Sequence, residues 1–254
     1  MTKITSPIIF NEYSKYYDLM YRDKDYEGEV EYITGLLNEQ HLSNAKILEF
    51  GSGTGKHGKL LAAKGFFVTG VELSKKMVDI AGQTEGFKCL QGDITSVNLH
   101  HTFDCVLSLF HVVSYLTENE QITALFQNAN MHLKKNGLFI FDIWYSPSVN
   151  FNKPEVRIKK MSDLTFDVIR IAEPNILPDL NQVDVKYFIF YKLKNEVFWQ
   201  LTTETHSMRH FSTSEIADFA SQNGFDLIKA EEFKTKSKPS KETWGVCYIL
   251  KKSN

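Results

Sequence analysis

The composition of the chain excludes several classes of protein before any motif is considered. Its 254 residues are 43% hydrophobic and 24% charged, which suits the core of one large domain or of a domain with an insertion. Disordered, collagen-like and disulfide-scaffold chains have other compositions. A formal net charge of −2 gives no overall attraction to a phosphate backbone, so we expect a small-molecule substrate and no nucleic-acid partner.

The amino-terminal residues indicate neither an export signal nor a membrane segment. The stretch "MTKITSPIIFNEYSKYY" has one short apolar patch, and no run in the chain approaches the roughly 18 apolar residues of a membrane helix. Cys89, Cys105 and Cys247 are far apart and show no zinc-site spacing, so we expect buried, reduced thiols and no metal. These features predict a cytoplasmic protein without membrane contact.

Residues 1–44 are the first predicted unit, a helical N-terminal segment. Tyr13, Tyr17 and Tyr21 recur every four residues, which is typical of an aromatic stripe along one face of a helix. Such a stripe can pack against the core or line a ligand site. The spacing alone leaves both possibilities open.

From Ala45 onward, apolar strand runs alternate with amphipathic segments. Successive runs are "KILEF", "FFVTGVEL", "FKCLQGD", "FDCVLSLF" and "GLFIFDIW", and a longer helix is predicted from about Thr117 to Leu133. This alternation predicts an α/β fold with a doubly wound, mostly parallel sheet. S/T-x-x-E spacings at Thr117 and Ser212 predict the capped starts of two helices.

The pattern changes to period-two runs between residues 147 and 209, with prolines between the runs. Period two predicts an antiparallel β insertion, which divides the core into residues 45–146 and 210–254. The aromatic residues of the insertion alternate onto both faces. We therefore expect one face to contact the substrate or a second subunit, and a homodimer is the expected assembly.

Four glycines follow the first strand closely, in "EFGSGTGKHG". A triphosphate-binding loop requires G-x-x-x-x-G-K-[ST], but Phe50 occupies its first position and His57 its last. A dinucleotide fingerprint fits Gly53, Gly55 and Gly58, with an acid at a suitable distance beyond them. A nicotinamide-dependent reductase therefore remains an alternative function.

Three acids lie at the ends of successive predicted strands. Glu49 stands inside the strand before the glycines, where an ionised carboxylate is costly unless a cation or donors face it. Glu72 and Asp93 follow the next two strands. Open α/β sheets bind ligands at this edge. The acids favour a cationic ligand that carries a ribose and an adenine over a pyrophosphate.

The motifs together resemble those of a known family. "ILEFGSGTG", "VTGVELS", "LQGDI" and "FDCVLSLF", in this order, are similar to the successive motifs of class I S-adenosylmethionine-dependent methyltransferases. The resemblance spans about residues 45–144 and includes the late helix "FSTSEIADFASQNGF". It implies a seven-stranded Rossmann-like sheet with a final antiparallel strand inserted, and S-adenosyl-L-methionine as the cofactor.

The resemblance also implies roles for individual residues at the cofactor. Glu72 would hold both ribose hydroxyls, and Leu73 would pack on the adenine. Asp93 would accept from the adenine amine, and Ile94 would donate its backbone amide to the ring. Leu109 would offer its carbonyl near the amino group of the cofactor. The implied cofactor set is Gly51, Ser52, Gly53, Glu72, Leu73, Asp93, Ile94 and Leu109, with Tyr17 above it.

The N-terminal stretch "YYDLMYRDKDYEGEVEYI" carries a narrower resemblance. It is similar to the corresponding segment of bacterial N,N-dimethyltransferases that act on dTDP-linked aminosugars, which share the GTG-x-H form of the loop. Tyr17 would then contact the sulfonium side or the incoming amine. His111 and Tyr115 follow the fourth strand at the expected substrate mouth, although the family more often has a small residue in place of His111. A packed strand-end histidine and a base both remain open for His111.

The sequence therefore predicts a methyltransferase of a small molecule, with N-methylation of a dTDP-linked aminosugar as the expected reaction. Tyr17, Tyr115 and His111 are the candidate catalytic residues. An amino acid, another amine or a phenol is the alternative acceptor. The alternatives from other classes are the reductase and a non-catalytic cofactor-binding module. A nucleic-acid methyltransferase would carry [ND]-P-P-[YF] after the fourth strand, where this chain has "SLFHVV".

Overall fold

The computed structural model describes residues 14–253, so the predicted role of Tyr13 in the aromatic stripe lies outside the described residues. The helices are α1 (Ser14–Met20), α2 (Tyr26–Glu39), α3 (Lys56–Ala63), α4 (Lys75–Ala81), α5 (Asn119–His132), α6 (Ser146–Phe151) and α7 (Thr213–Gln222). Within this range, no helix combines the length and the apolar character needed to cross a membrane.

The strands form two separate sheets. They are β1 (Lys46–Phe50), β2 (Phe67–Glu72), β3 (Gln83–Thr84), β4 (Phe87–Gln91), β5 (Phe103–Ser108), β6 (Leu133–Trp144), β7 (Arg157–Ser162), β8 (Phe166–Leu177), β9 (Gln182–Leu193), β10 (Gln200–Arg209), β11 (Phe225–Glu232) and β12 (Gly245–Lys252). The central sheet has the order β11-β12-β6-β5-β1-β2-β4-β3, and the second sheet has the order β10-β9-β8-β7.

The central sheet contains the seven predicted strands and one short addition. Strands β4, β2, β1, β5 and β6 pair in parallel, while β12 pairs antiparallel with both β6 and β11, as the resemblance implied. The addition is β3, two residues that pair antiparallel with β4 at the sheet edge. Gly82 and Gly86 flank β3 with positive φ, which lets the chain turn sharply there.

Side-chain caps fix the starts of the helices after the strands. Ser212 and Glu215 form the predicted capping box of α7. The predicted start of the long helix at Thr117 is wrong by two residues, because α5 begins at Asn119. Glu118 is its N-cap, and its side chain and that of Gln121 complete a capping box in place of the Thr117 pair.

The core occupies both faces of the central sheet, as a doubly wound fold requires. One cluster packs α5 and α7 against the sheet through residues such as Phe126 and Ile216. The other packs α2 and α3 against the opposite face through Ile33 and Leu61. Alternate residues of β1 belong to different clusters, since successive strand side chains point to opposite faces. All three cysteines are buried and free.

The insertion forms an antiparallel sheet of its own, preceded by α6. Met161, Val168 and Ile189 are buried on one of its faces together with Met20 of α1, and Tyr17 packs on the same cluster. Helix α1 therefore lies against the insertion sheet. This contact brings the N-terminal segment and the insertion to the same side of the molecule.

Candidate active site

The glycine loop after β1 is held by the neighbouring strand. The N–H groups of Gly51 and Ser52 both donate to the carbonyl of Val71, at 2.8 and 3.2 Å. Gly51 has φ of +70°, and a Cβ there would lie 2.6 Å from a methyl carbon of Val112. Gly53 has φ of +55°, yet a Cβ there would meet nothing within 4 Å. The loop is therefore packed tightly at Gly51 and open above Gly53.

The carboxylate of Glu72 is fixed directly beside this loop. Its Oε2 accepts from the N–H of Gly53 at 3.0 Å, and its Oε1 accepts from the N–H of Ser74 at 2.8 Å. Burial raises the pKa of Glu72, and these backbone hydrogen bonds partly oppose the increase. Each carboxylate oxygen can accept more than one hydrogen bond. Glu72 can therefore hold the loop and still bind hydroxyl groups of a ligand.

Three further predicted cofactor residues surround the open space beside Glu72. Leu73 is 65% exposed, which is unusual for a leucine next to a buried strand end. Asp93 is exposed, and its Oδ1 accepts from the N–H and the hydroxyl of Thr95 at 2.8 and 2.7 Å. Ile94 is half-buried, and its carbonyl accepts from Asn128. Strands β2 and β4 pair up to Glu72, so these residues follow two adjacent strand ends.

Glu49 lies below the loop and lacks full hydrogen bonding. It is 2% exposed, and its Oε2 has no hydrogen-bond partner among the described residues. Burial, and then the charge of Glu72, raise the pKa of Glu49 to about 8. Its Oε1 is 3.9 Å from Nδ1 of His57, whose Nε2 lies 2.7 Å from Glu29. Glu49 therefore keeps its proton at neutral pH in the ligand-free protein, and a positive charge above the loop would favour its ionised form.

Helix α1 connects the glycine loop to the insertion sheet. The hydroxyl of Thr54 donates to Asp18 at 2.8 Å, and Lys56 forms an ion pair with the same carboxylate at 3.5 Å. Tyr17, the preceding residue, is half-buried beside the ring of Tyr21 at 4.8 Å. Burial, followed by the surrounding tyrosines and Glu72, raises the pKa of Tyr17 well above its ordinary value. Tyr17 is thus both a stripe residue and a neighbour of the loop.

The segment after β5 has an unusual backbone. Leu109 is 3% exposed, whereas Phe110 and His111 follow it with φ of +67° and +61°, a conformation that non-glycine residues seldom adopt. Nδ1 of His111 lies 2.7 Å from Oδ2 of Asp142 on β6. The backbone N–H of His111 donates to Oδ1 of the same carboxylate. Such strained residues often mark ligand sites.

Asp142 is an ionised carboxylate inside the core. It is 1% exposed, and burial opposes its ionisation, but the charge and hydrogen bonds of His111 outweigh burial and lower the pKa of Asp142. The ring of His111 therefore lies beside a buried acid, a contact that suits both a packed histidine and a base. A histidine with one nitrogen fixed in this way can use the other for proton transfer or binding.

Tyr115 lies between the core and the insertion sheet. Its hydroxyl is 3.0 Å from Nδ1 of His206 on β10, and Nε2 of His206 is 3.2 Å from Glu204. The ring of Tyr187 lies 4.7 Å from that of His206, and Tyr187 packs on the same apolar cluster as Tyr17. One chain of contacts therefore links Tyr17 to Tyr115 through Tyr187 and His206.

Sequence reasoning missed four polar residues of this region: Asp18, Asp142, Glu204 and His206. Asp142 carries the same signal as Glu49, a carboxylate within an apolar strand run, in "LFIFDIW". Glu204 and His206 belong to a period-two run in which polar residues on one face suggest a solvated surface. Only the packing of the insertion against the core shows that this face is covered.

The fold and the site define a class I methyltransferase, and comparison with known proteins agrees. Residues 47–137 match the methyltransferase domain family. An uncharacterized methyltransferase of Oceanobacillus iheyensis is 33% identical over 205 residues, covering 77% of this chain and 95% of its own. The dTDP-3-amino-3,6-dideoxy-α-D-glucopyranose N,N-dimethyltransferase of Streptomyces fradiae is 25% identical over 181 residues, covering 70% and 71%.

Solved structures show the same fold at low identity. A sugar N-methyltransferase from Streptoalloteichus superimposes with a TM-score of 0.83 at 17% identity, covering 100% of this chain and 98% of its own. An S-adenosylmethionine-dependent methyltransferase from Clostridium acetobutylicum gives 0.79 at 20% identity, covering 96% and 99%.

This chain belongs to the S-adenosylmethionine-dependent methyltransferase family. The cofactor of this family is S-adenosylmethionine, so the nicotinamide-dependent reductase is set aside as the enzyme class. Among residues 14–253, no group of three or more His, Cys, Asp and Glu side chains is arranged to hold a metal ion.

Proposed function

We propose that the protein methylates the amino group of a nucleotide-linked aminosugar, most directly a dTDP-aminosugar. The observation that carries this proposal is the chain of contacts from Tyr17 through Tyr187 and His206 to Tyr115, where α1 and the insertion sheet meet. A wall of phenols and polar side chains suits a sugar, which has both apolar ring faces and hydroxyl groups. The dTDP-aminosugar relative supports the substrate class.

The residues around the loop fit S-adenosyl-L-methionine. The space above Gly53 is open, Leu73 exposes an apolar surface at its edge, and Glu49 has an orphaned buried oxygen beneath it. When bound, this cofactor supplies a methyl group already activated by a positive sulfur. The set that would hold it is Gly51, Ser52, Gly53, Glu72, Leu73, Asp93, Ile94 and Leu109, with Tyr17 above.

Each of these residues would recognise one part of the cofactor. The carboxylate of Glu72 would accept from both ribose hydroxyls, and Leu73 would pack on the adenine ring. Asp93 would accept from the adenine amine, while the backbone amide of Ile94 would donate to the ring. The carbonyl of Leu109 and the carboxylate of Glu49 would face positively charged groups.

The catalytic task of the protein is alignment of an unprotonated amine. Methyl transfer is an in-line displacement, so positioning and exclusion of water supply most of the rate. Tyr17 would contact the reacting groups from α1. Tyr115 and His111 would orient the amine from the loop after β5, with His111 held by Asp142. Tyrosine and histidine can both take part in proton transfer.

The insertion sheet would provide the remaining wall of the acceptor site. Its buried face carries His206 and packs on α1, while the turn between β9 and β10 exposes Val197 and Phe198, at 83% and 84%. An exposed apolar patch of this kind also suits a subunit contact. We propose a homodimer through this sheet as the accompanying assembly.

Mass spectrometry of a panel of nucleotide-linked aminosugars, each incubated with the protein and S-adenosylmethionine, tests the proposal. We expect a product heavier by one or two methyl groups, and no product from amino acids, simple amines or phenols in a parallel panel. Methylation of a compound in the second panel alone would replace the aminosugar with that acceptor class. Binding of S-adenosylhomocysteine without methylation in either panel would indicate a non-catalytic module.

A further inference from the structure

A row of three side chains with a buried histidine at its centre joins the insertion sheet to the loop after β5. Tyr115 ends the short 3-10 turn Val112–Tyr115, and its hydroxyl is 3.0 Å from Nδ1 of His206. Nε2 of His206 is 3.2 Å from Oε2 of Glu204, two residues earlier on β10. His206 is only 1% exposed. The loop after β5 and strand β10 therefore meet at the imidazole of His206, although Tyr115 and His206 are 91 residues apart in sequence.

The position of Glu204 determines which nitrogen of His206 carries the proton. A carboxylate can only accept, so Nε2–H of His206 donates to Glu204, and Nδ1 is then an acceptor. The hydroxyl of Tyr115 donates to that nitrogen. The hydrogen bonds thus run in one direction, from the tyrosine through the imidazole to the carboxylate.

Tyr115 itself is unsuited to store a proton. Burial, followed by Tyr187, Tyr21 and Glu204, raises the pKa of Tyr115 well above its ordinary value, so its hydroxyl is a neutral phenol. A neutral phenol is a very weak base. It can take a proton from an amine only while it gives its own proton to a neighbour, and the neighbour here is an imidazole.

On the basis of the proposed function, we propose that His206 and Glu204 form a proton relay through Tyr115. When the amine arrives protonated, one N–H bond of the substrate breaks and its electron pair stays on nitrogen. That proton passes to the oxygen of Tyr115 while the phenolic proton passes to Nδ1 of His206. The imidazolium lies beside the carboxylate of Glu204, and once the product leaves, the proton returns through Tyr115 to water in the emptied acceptor site. The freed nitrogen lone pair can then attack the methyl group.

In this scheme Tyr115 contacts the substrate, and His206 and Glu204 are positioning residues that act through it. The pair also encloses the site, because the ring of Tyr187 packs on His206 at 4.7 Å. The guanidinium carbon of Arg170 lies 5.4 Å from the centre of the Tyr187 ring. Few waters could reach the imidazole, so the proton path would lead through Tyr115.

The kinetic test compares Tyr115→Phe, His206→Gln and the double variant on the acceptor identified by mass spectrometry. Glutamine can accept the phenolic hydrogen bond but cannot bind a proton. We expect kcat to fall about 10²-fold in each single variant, with the KM of the acceptor and the Kd of S-adenosylhomocysteine nearly unchanged. The double variant should be no slower than the slower single variant, since the residues act as a unit. Losses that multiply in the double variant would overturn the relay.

Histidine ¹⁵N NMR provides a readout that does not depend on turnover. In protein labelled at histidine nitrogen, we expect His206 to show the Nε2–H tautomer with Nδ1 as an acceptor. Tyr115→Phe should shift the Nδ1 resonance and leave the tautomer in place. An Nδ1–H tautomer in the wild-type protein would contradict the direction of the relay.

His210→Gln is the matched control. His210 is also fully buried, and its Nδ1 is 2.8 Å from the hydroxyl of Ser146, but it contacts neither Tyr115 nor Glu204 in this network. We expect His210→Gln to keep the wild-type kcat, although its change in stability should be similar to that of His206→Gln. If wild-type protein methylates no aminosugar, the proposed function fails and the tautomer decides the relay. If it does, and His206→Gln keeps the wild-type kcat, only the relay fails.

Discussion

The two halves of the site are built in different ways. The cofactor half consists of backbone and carboxylates at neighbouring strand ends, from Glu49 to Leu109, and the sheet alone fixes their geometry. The acceptor half combines α1, the loop after β5 and the insertion sheet, which meet only through tertiary packing. We therefore propose that the fold fixes cofactor binding, whereas acceptor choice depends on contacts between distant segments. Substitutions in the two halves should therefore separate binding from turnover.

The largest expected effect is the loss of Glu72. We expect Glu72→Ala to weaken the binding of S-adenosylhomocysteine by about 1–3 kcal/mol. The variant lacks the carboxylate that would bind the ribose hydroxyls and that accepts from the N–H of Gly53. Isothermal calorimetry measures the change. Asp104→Ala is the control, since Asp104 also accepts a backbone N–H, from Lys46, at the far end of the strands. Equal affinity in wild type and Glu72→Ala would remove Glu72 from the cofactor site.

The second prediction concerns Glu49 and pH. Because the folded protein retains a proton on Glu49 between its ordinary pKa of 4.5 and about 8, and the unfolded chain does not, stability falls as pH rises through this range. The loss is on the order of 2 kcal/mol from pH 6 to pH 8. Denaturant unfolding of the ligand-free protein measures it. Glu49→Gln should flatten the pH dependence, and a wild-type slope in that variant would refute the assignment.

The third prediction uses two glycines with positive φ. Gly53 and Gly82 have φ of +55° and +58°, and a Cβ on either meets nothing within 4 Å. Both alanine variants should lose stability from backbone strain, and Gly82→Ala should lose more, because ψ of −151° places Gly82 in a region that only glycine adopts readily. Only Gly53→Ala should lower the affinity for S-adenosylhomocysteine, by about tenfold, since the methyl group of the alanine would enter the proposed cofactor space. Equal affinities in calorimetry would show that the open space is not the binding site.

The smallest expected effect is on the acceptor side. Tyr17→Phe keeps the ring that packs on α1 and the insertion sheet but removes the hydroxyl, so kcat should fall several-fold while cofactor affinity stays the same. Tyr191→Phe provides the comparison, because Tyr191 packs on the same apolar cluster. A wild-type kcat in Tyr17→Phe would leave Tyr17 with a packing role only.

Sequence patterns predicted the central sheet well because they are local. Strand periodicity predicts the parallel strands, and the antiparallel last strand is the one that the family resemblance implied. The cofactor roles of the glycine loop and of the strand-end acids stay predictions. The capping box at Thr117 was wrong because two overlapping cap motifs compete there, and Glu118 with Gln121 prevails. The partners of His111 and Tyr115 were not predictable, since Asp142 and His206 reach them only after the sheets pack together.

The most direct test of the account is a comparison of three acceptors that differ by one feature each. They are a dTDP-aminosugar, the same dTDP-sugar with a hydroxyl in place of the amine, and the free aminosugar without its nucleotide. Product masses after incubation with S-adenosylmethionine are measured under identical conditions. The account predicts methylation of the dTDP-aminosugar alone. Methylation of the hydroxyl compound, or equal methylation of the free aminosugar, would contradict it.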